Sequence, residues 1–215
     1  MAEAIDSKES LPVHAKILRQ KKFLYKIYQN FYQEMRSVEV PDGPRVEIGS
    51  GGGFLKDFIS NIITSDVVEG PGIDSVFSAT NMPFADNSIS AFYLLNAFHH
   101  IKDGEKALAE MQRCLKPGGK IIMIEPYNSW WGRFVYSHFH HEAFNPKADW
   151  RINGDGRLSD ANNALPWIVF ERDRAKFSRL FPLLTVKQCR PHTPFSFIIS
   201  GGLTRPQLLP LVAFS

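Results

Sequence analysis

The chain has 215 residues, 44% of them apolar, enough to bury the core of one α/β domain. Its 25 Lys and Arg against 22 Asp and Glu leave a net charge of +3, too small an excess to argue for nucleic acid as a partner. Cys114 and Cys189 lie far apart and form no C-x-x-C pair, Met1 to Ser10 lacks the apolar stretch of a secretion signal, and no run approaches the roughly 20 apolar residues needed to span a bilayer. A cytoplasmic protein, soluble or peripheral and without a zinc site, is expected.

From His14 to Met35 the residues Ile17, Leu24, Ile27, Tyr28, Phe31 and Met35 recur at helical spacing and predict one amphipathic helix. Its other face carries Lys16, Arg19, Lys21, Lys22 and Lys26, suited to water above a ligand crevice or to peripheral contact with an anionic membrane. Pro41-Asp42-Gly43-Pro44 ends this lead-in, so residues 1–44 precede a core of 45–215. Strands are predicted at 45–49, 62–67, 75–78, 89–95, 120–125, 184–190 and 195–200, with helices near 53–61 and 104–115. Lys116-Pro117-Gly118-Gly119 stops the second of these helices.

Alternating strands and helices predict an α/β fold with a mostly parallel, doubly wound, seven-stranded sheet, whose ligand crevice lies at the carboxyl ends of the strands. Only Val67 to Ile73 separate Asp66 from Asp74, too few for the dozen or more residues of an ordinary parallel crossover. The helix after the second strand is therefore expected to be reduced. Residues 127–182, rich in Trp, Phe, His and Arg, read as an inserted substrate-side cap with helices over Trp130 to His141 and Phe170 to Leu180 and a turn at Asn153–Gly156. His138, His140, His141 and Glu142 do not match H-E-x-x-H, so no metal site is assigned. Leu208 to Phe214 is too short to cross a bilayer and is expected to pack on the body or touch lipid.

The stretch Val46-Glu47-Ile48-Gly49-Ser50-Gly51-Gly52-Gly53 joins a strand to the next element through glycines spaced G-x-G-x-G. Without a Cβ the main chain can approach a nucleotide-like ligand, and a helix opening near Phe54 would turn its N–H groups toward an anion. A dinucleotide loop needs a third glycine where Phe54 stands. Asp66, ending the second strand, is placed to accept both hydroxyl protons of a ribose.

Further on, Met82 to Ile89 leads into Ala91 to Asn96, and Leu115 to Lys120 leads into Ile121 to Glu125. With the glycine loop, and in this order, these motifs resemble those of class I S-adenosylmethionine-dependent methyltransferases, in the small-molecule branch called type 11, over Arg45 to about Tyr127. The resemblance implies a Rossmann-like fold and S-adenosyl-L-methionine as cofactor. It implies that Glu47, Gly49, Ser50, Gly51 and Gly53 surround the methionine part, with Glu47 near the ammonium group, and that Asp66 holds the ribose. Where the family places an acid for adenine this chain has Ser78, followed by Ala79, and Asn96 falls where backbone approaches the reactive methyl.

Methyl transfer from a sulfonium is an in-line displacement that depends mainly on alignment, so a base is needed only if the acceptor loses a proton. His99, His100 and Glu125 are the candidates for that role. Tyr127, Trp131, His140 and His141 are the candidates for substrate contact, each weighed against ordinary packing. The expected reaction methylates a small-molecule or lipid-linked metabolite at O, N or C. A noncatalytic S-adenosylmethionine-binding subunit is the alternative, motivated by Ser78 and the short crossover, and a nicotinamide-dependent oxidoreductase is disfavoured by Phe54. Acceptor and oligomeric state are not legible.

Overall fold

The computed structural model describes residues 9–139, 143–154, 156, 159–193 and 195–203. Two helices lead in, α1 (Ser10–Gln20) and α2 (Lys22–Ser37), separated at Lys21, whose φ of −82° and ψ of 88° break the single helix expected there. In α2 the apolar residues Phe23, Leu24, Ile27, Tyr28, Phe31, Tyr32 and Met35 fall on one buried stripe at i, i+3 and i+4 spacing. Burying such side chains contributes roughly 1.5–3 kcal/mol each, which fixes α2 against the sheet.

The sheet contains β1 (Arg45–Ile48), β2 (Ile62–Asp66), β3 (Ser75–Val76), β4 (Ile89–Leu95) and β5 (Leu115–Ile124). All neighbours pair in parallel, in the order β3-β2-β1-β4-β5. Because successive side chains point to opposite faces, Val46, Ile48, Phe92 and Leu94 enter one core with Ala107, Leu108 and Met111 of α3 (Gly104–Cys114). Ala91 and Tyr93 enter the other core, beneath α2. Both faces are covered, as a parallel sheet requires.

The sheet has five strands among the described residues, not the seven expected. Residues 184–190 pair with no strand, and the segment expected as a strand at 195–200 contains the short helix Ser196–Ile199. Short apolar runs such as Phe197-Ile198-Ile199 do not by themselves distinguish the two conformations. The helix expected over 53–61 is reduced to one 3₁₀ turn, Leu55–Asp57, so no helix N-terminus of useful length points at the glycine loop.

The β2–β3 connection carries no helix. Its tight path is held by side chains instead. Thr64 Oγ1 donates to the Gly72 carbonyl at 2.6 Å, Asp74 accepts from the Thr64 N–H at 3.0 Å, and Lys56 reaches Asp74 at 2.5 Å. These contacts, the Lys56 bond foremost, hold the Asp74 carboxyl below its usual range.

Beyond β5 the chain continues through α4 (Trp130–Phe139), α5 (Leu165–Trp167), a π-helical segment Ile168–Arg172 and α6 (Arg174–Leu180). Trp150, 1% exposed, anchors it: the indole N–H donates to Asp173 at 2.8 Å, and the Lys176 ammonium sits 4.2 Å from its ring centroid. His140 and His141, with Glu142 and the apolar run 208–214, lie outside the described residues.

Candidate functional site

A cavity of ≈ 2030 Å³ opens along the carboxyl ends of the strands and is lined by the glycine loop, the segment after β5 and α2. Pockets for one small ligand usually measure about 300–1,000 Å³, so this one has room for two molecules side by side.

At one end lies the glycine loop. Gly49 and Gly51 adopt φ of +67° and +54°, which side chains with a Cβ rarely tolerate, and a Cβ at Gly49 would sit 2.8 Å from Ala97. Ser50 N–H donates to the Ser65 carbonyl at 2.8 Å, tying the loop to β2. At Gly52 an added Cβ would lie 2.5 Å from the Ala15 nitrogen of α1. Gly52→Ala is therefore expected to lift α1 off the loop, read as faster proteolysis within residues 10–20; an unchanged digestion pattern would contradict this close packing.

Glu47 is 3% exposed, and its Oε2 atom has no hydrogen-bond partner among the described residues. Burial, with a smaller contribution from nearby Asp66, pushes its carboxyl up to about 7. An unpaired buried carboxylate oxygen costs free energy unless a ligand supplies a donor. Asp66, also buried, accepts from the Gly51 N–H at 3.1 Å and from the Val67 N–H at 2.8 Å. It thus braces the loop as well as facing the cavity. Ser78 and Ala79 line the cavity farther along. The Ser78 hydroxyl is engaged by Thr80, with 2.8 Å between the two oxygens.

Two tyrosines of α2 complete this end, Tyr28, which helical spacing placed on the apolar face of a helix, and Tyr32, which the sequence pattern did not single out. Tyr32 Oη accepts from the Phe54 N–H at 3.2 Å and stands 2.6 Å from where a Gly53 Cβ would lie. Tyr28 bonds the Asn96 side chain, and burial raises its hydroxyl pKa. Their i, i+4 spacing on an apolar stripe was the available signal, since a buried tyrosine hydroxyl needs a partner.

The turn after β4 is built around Glu125. One carboxylate oxygen accepts from the Ala97 and Phe98 N–H groups at 2.8 and 2.7 Å, and the other lies 2.7 Å from His99 Nδ1. His99 and Glu125 side chains are 4% and 5% exposed. Asn96 precedes them at a φ of +51°, its N–H bonded to the Ile124 carbonyl at 2.9 Å. Glu125 is consequently engaged in shaping the turn at the edge of the cavity. His100 packs on His99 with ring centroids 4.2 Å apart.

At the other end Tyr127 and Trp131 line the cavity, and Trp131 contacts Phe134 and Phe195 at centroid distances of 5.7 and 5.2 Å. The two ends differ in character. One is polar main chain around a buried acid, the other is aromatic.

The family described as "Methyltransferase domain" matches residues 46–123, from β1 through β5. Over this stretch, about a third of the chain, the sequence is similar to that family. The chain is 40% identical over 72 residues to a demethylmenaquinone methyltransferase of Renibacterium salmoninarum, covering 32% of this chain and 30% of that protein. It is 32% identical over 83 residues to the ubiquinone/menaquinone biosynthesis C-methyltransferase UbiE of Desulfotalea psychrophila, covering 38% and 32%. The chain thus spans about a third of the length of these curated relatives. A solved S-adenosylmethionine-dependent methyltransferase from Thermotoga maritima superposes with a TM-score of 0.44 at 24% identity, over 58% of this chain and 66% of the other.

S-adenosylmethionine is the cofactor of this family. The residues present fit it: Glu47 Oε2 offers a buried acceptor for the ammonium group, the side-chain-free loop 49–53 leaves space beside it, and Asp66 borders the same hollow.

Proposed function

We propose that the chain transfers the methyl group of S-adenosylmethionine to a small aromatic acceptor, and the buried, unpartnered Glu47 oxygen beside the positive-φ glycine loop carries the reading. When bound, the cofactor supplies an electrophilic sulfonium methyl. Glu47 holds the ammonium group, Asp66 the ribose, and Ser78 and Ala79 border the adenine. Asn96, whose backbone Glu125 and His99 stiffen, faces the methyl. In-line displacement asks the site chiefly to align the reactants, an effect worth roughly 7–11 kcal/mol in well-oriented systems.

The aromatic end supports a ring-bearing acceptor, in keeping with relatives named for demethylmenaquinone and ubiquinone/menaquinone. Around its rim Trp130, Leu183 and Phe195 are 80%, 81% and 56% exposed. Such a rim suits an acceptor drawn from a lipid surface, with this face of the protein touching the bilayer peripherally.

Asp66→Ala is expected to weaken S-adenosylhomocysteine binding about 10- to 100-fold by leaving the ribose hydroxyls unpaired, measured by calorimetry. Unchanged affinity would remove Asp66 from the ribose. The reaction itself is tested with labelled S-adenosylmethionine and a prenylated naphthohydroquinone; transfer of label to the ring is the expected result. Ser78, which stands where the family places an acid and is itself engaged by Thr80, favours a noncatalytic binding subunit as second reading. Tight S-adenosylhomocysteine binding without transfer to any compound of a broad metabolite extract would select it.

A further inference from the structure

Three residues that the sequence does not bring together meet at the aromatic end of the cavity. Tyr127 follows β5 by a few residues, Glu171 belongs to the π-helical segment Ile168–Arg172, and Cys189 lies in the extended segment after α6. The Tyr127 hydroxyl donates to Glu171 Oε2 at 3.1 Å, and the Cys189 thiol donates to Glu171 Oε1 at 2.9 Å. Tyr127 and Cys189 line the cavity, whereas Glu171 does not. π-Helical turns are rare and are frequent at functional sites. Here the turn delivers one carboxylate to two donors. Among the described residues no cation is within ion-pair distance of Glu171, and Tyr127 and Cys189 are its side-chain donors.

The direction of these bonds has a chemical consequence. A carboxylate only accepts hydrogen bonds, so Tyr127 must give its single proton to Glu171. What the phenol then turns to the cavity is oxygen lone pairs. Burial and the facing Glu171 raise the Tyr127 hydroxyl, and the same two causes push the Cys189 thiol up to about 12, which keeps both protonated and both donating.

We propose that Tyr127, oriented by Glu171, makes this end of the cavity selective for a substrate that presents a hydroxyl, and selects against the corresponding ether or carbonyl. A substrate O–H meets an oxygen ready to accept. An ether or carbonyl meets lone pairs facing lone pairs, or draws the Tyr127 proton away and strips the charged Glu171 of a donor. Sites that hydrogen-bond a substrate hydroxyl discriminate strongly against analogues that lack it. Tyr127 is the contacting group and Glu171 a positioning residue. The inference deepens the proposed function and rests on it for the chemistry of the bound molecule.

The test is calorimetry of the full chain with 1-naphthol and 1-methoxynaphthalene, each also measured on Tyr127→Phe, Glu171→Met and Glu171→Gln. The native chain should bind 1-naphthol at least 10-fold more tightly than its methyl ether. Tyr127→Phe should erase that preference. Glu171→Met, which frees the tyrosine proton to point into the cavity, should erase or invert it. Glu171→Gln, whose amide oxygen still accepts from Tyr127, should keep part of it. Equal affinities in the native chain, no binding of 1-naphthol, or a preference that survives both Tyr127→Phe and Glu171→Met would overturn the proposal. S-adenosylhomocysteine binding, measured on the same four proteins, should be the same throughout. Its absence from the native chain would sink the methyltransferase reading, while the naphthol comparison would still decide the hydroxyl preference.

Discussion

Glu125→Ala should destabilise the protein by about 3–5 kcal/mol, because it removes the shared acceptor of several buried hydrogen bonds. The substitution strands three donors at once: the Ala97 and Phe98 N–H groups and His99, whose side chain is 4% exposed. Each buried donor without a partner costs about 1–3 kcal/mol. Urea denaturation at pH 7 measures the loss, and a change below 1 kcal/mol would mean that water reaches the turn. Cofactor affinity should fall too, because Asn96 holds its positive φ within the same turn. Glu125→Gln is the informative companion. Its amide oxygen still accepts from the two N–H groups, so more stability should survive than in the alanine variant.

The second large effect concerns Glu47 and pH. Its folded-state carboxyl, at about 7, stands above the ordinary 4.5. Between these values the folded chain holds a proton that the unfolded chain has released, so stability of the ligand-free protein falls as pH rises through that window. A shift of this size corresponds to about 3 kcal/mol. Cofactor binding runs the other way. On the proposed placement of Glu47 the ammonium group pairs with the ionised form, so affinity should climb as pH passes through about 7. Glu47→Gln should flatten both profiles and weaken S-adenosylhomocysteine at pH 8 by 10-fold or more. Thermal unfolding and calorimetry between pH 5 and 8.5 read the two curves. If native affinity stays level across that range, Glu47 does not meet the ammonium group.

Which features the sequence announced follows from how local their causes are. The first five strands, the helix stop before Lys116 and the missing crossover helix all arise from runs of a few residues with strong turn or apolar signals, and the structure contains them. Two further strands were expected at 184–190 and 195–200, and neither forms. A strand exists only if a neighbour accepts its hydrogen bonds, and pairing partners are invisible to local pattern. The helix after the glycine loop shrank to Leu55–Asp57 for a related reason: Phe54 and Leu55 are held by Tyr25, Tyr28 and Tyr32 of α2. In the candidate site, the glycines and Glu47 fall in one short run and Asp66 ends the next strand, so local pattern alone could single them out. Glu171 was not legible, since it reaches Tyr127 across 44 positions of chain.

The packing of α2 also bears on which piece of this chain is able to fold. The family match begins at Val46 and ends at Met123, yet one whole side of the sheet inside that span is sealed by side chains that precede it. Cut at those limits, the fragment would present Ile62, Ala91 and Tyr93 to water and lose the tyrosines that line the glycine-loop end of the cavity. The recognisable signature of the family is therefore shorter than the smallest unit with an interior of its own, and fragments meant for expression have to start ahead of Ser10.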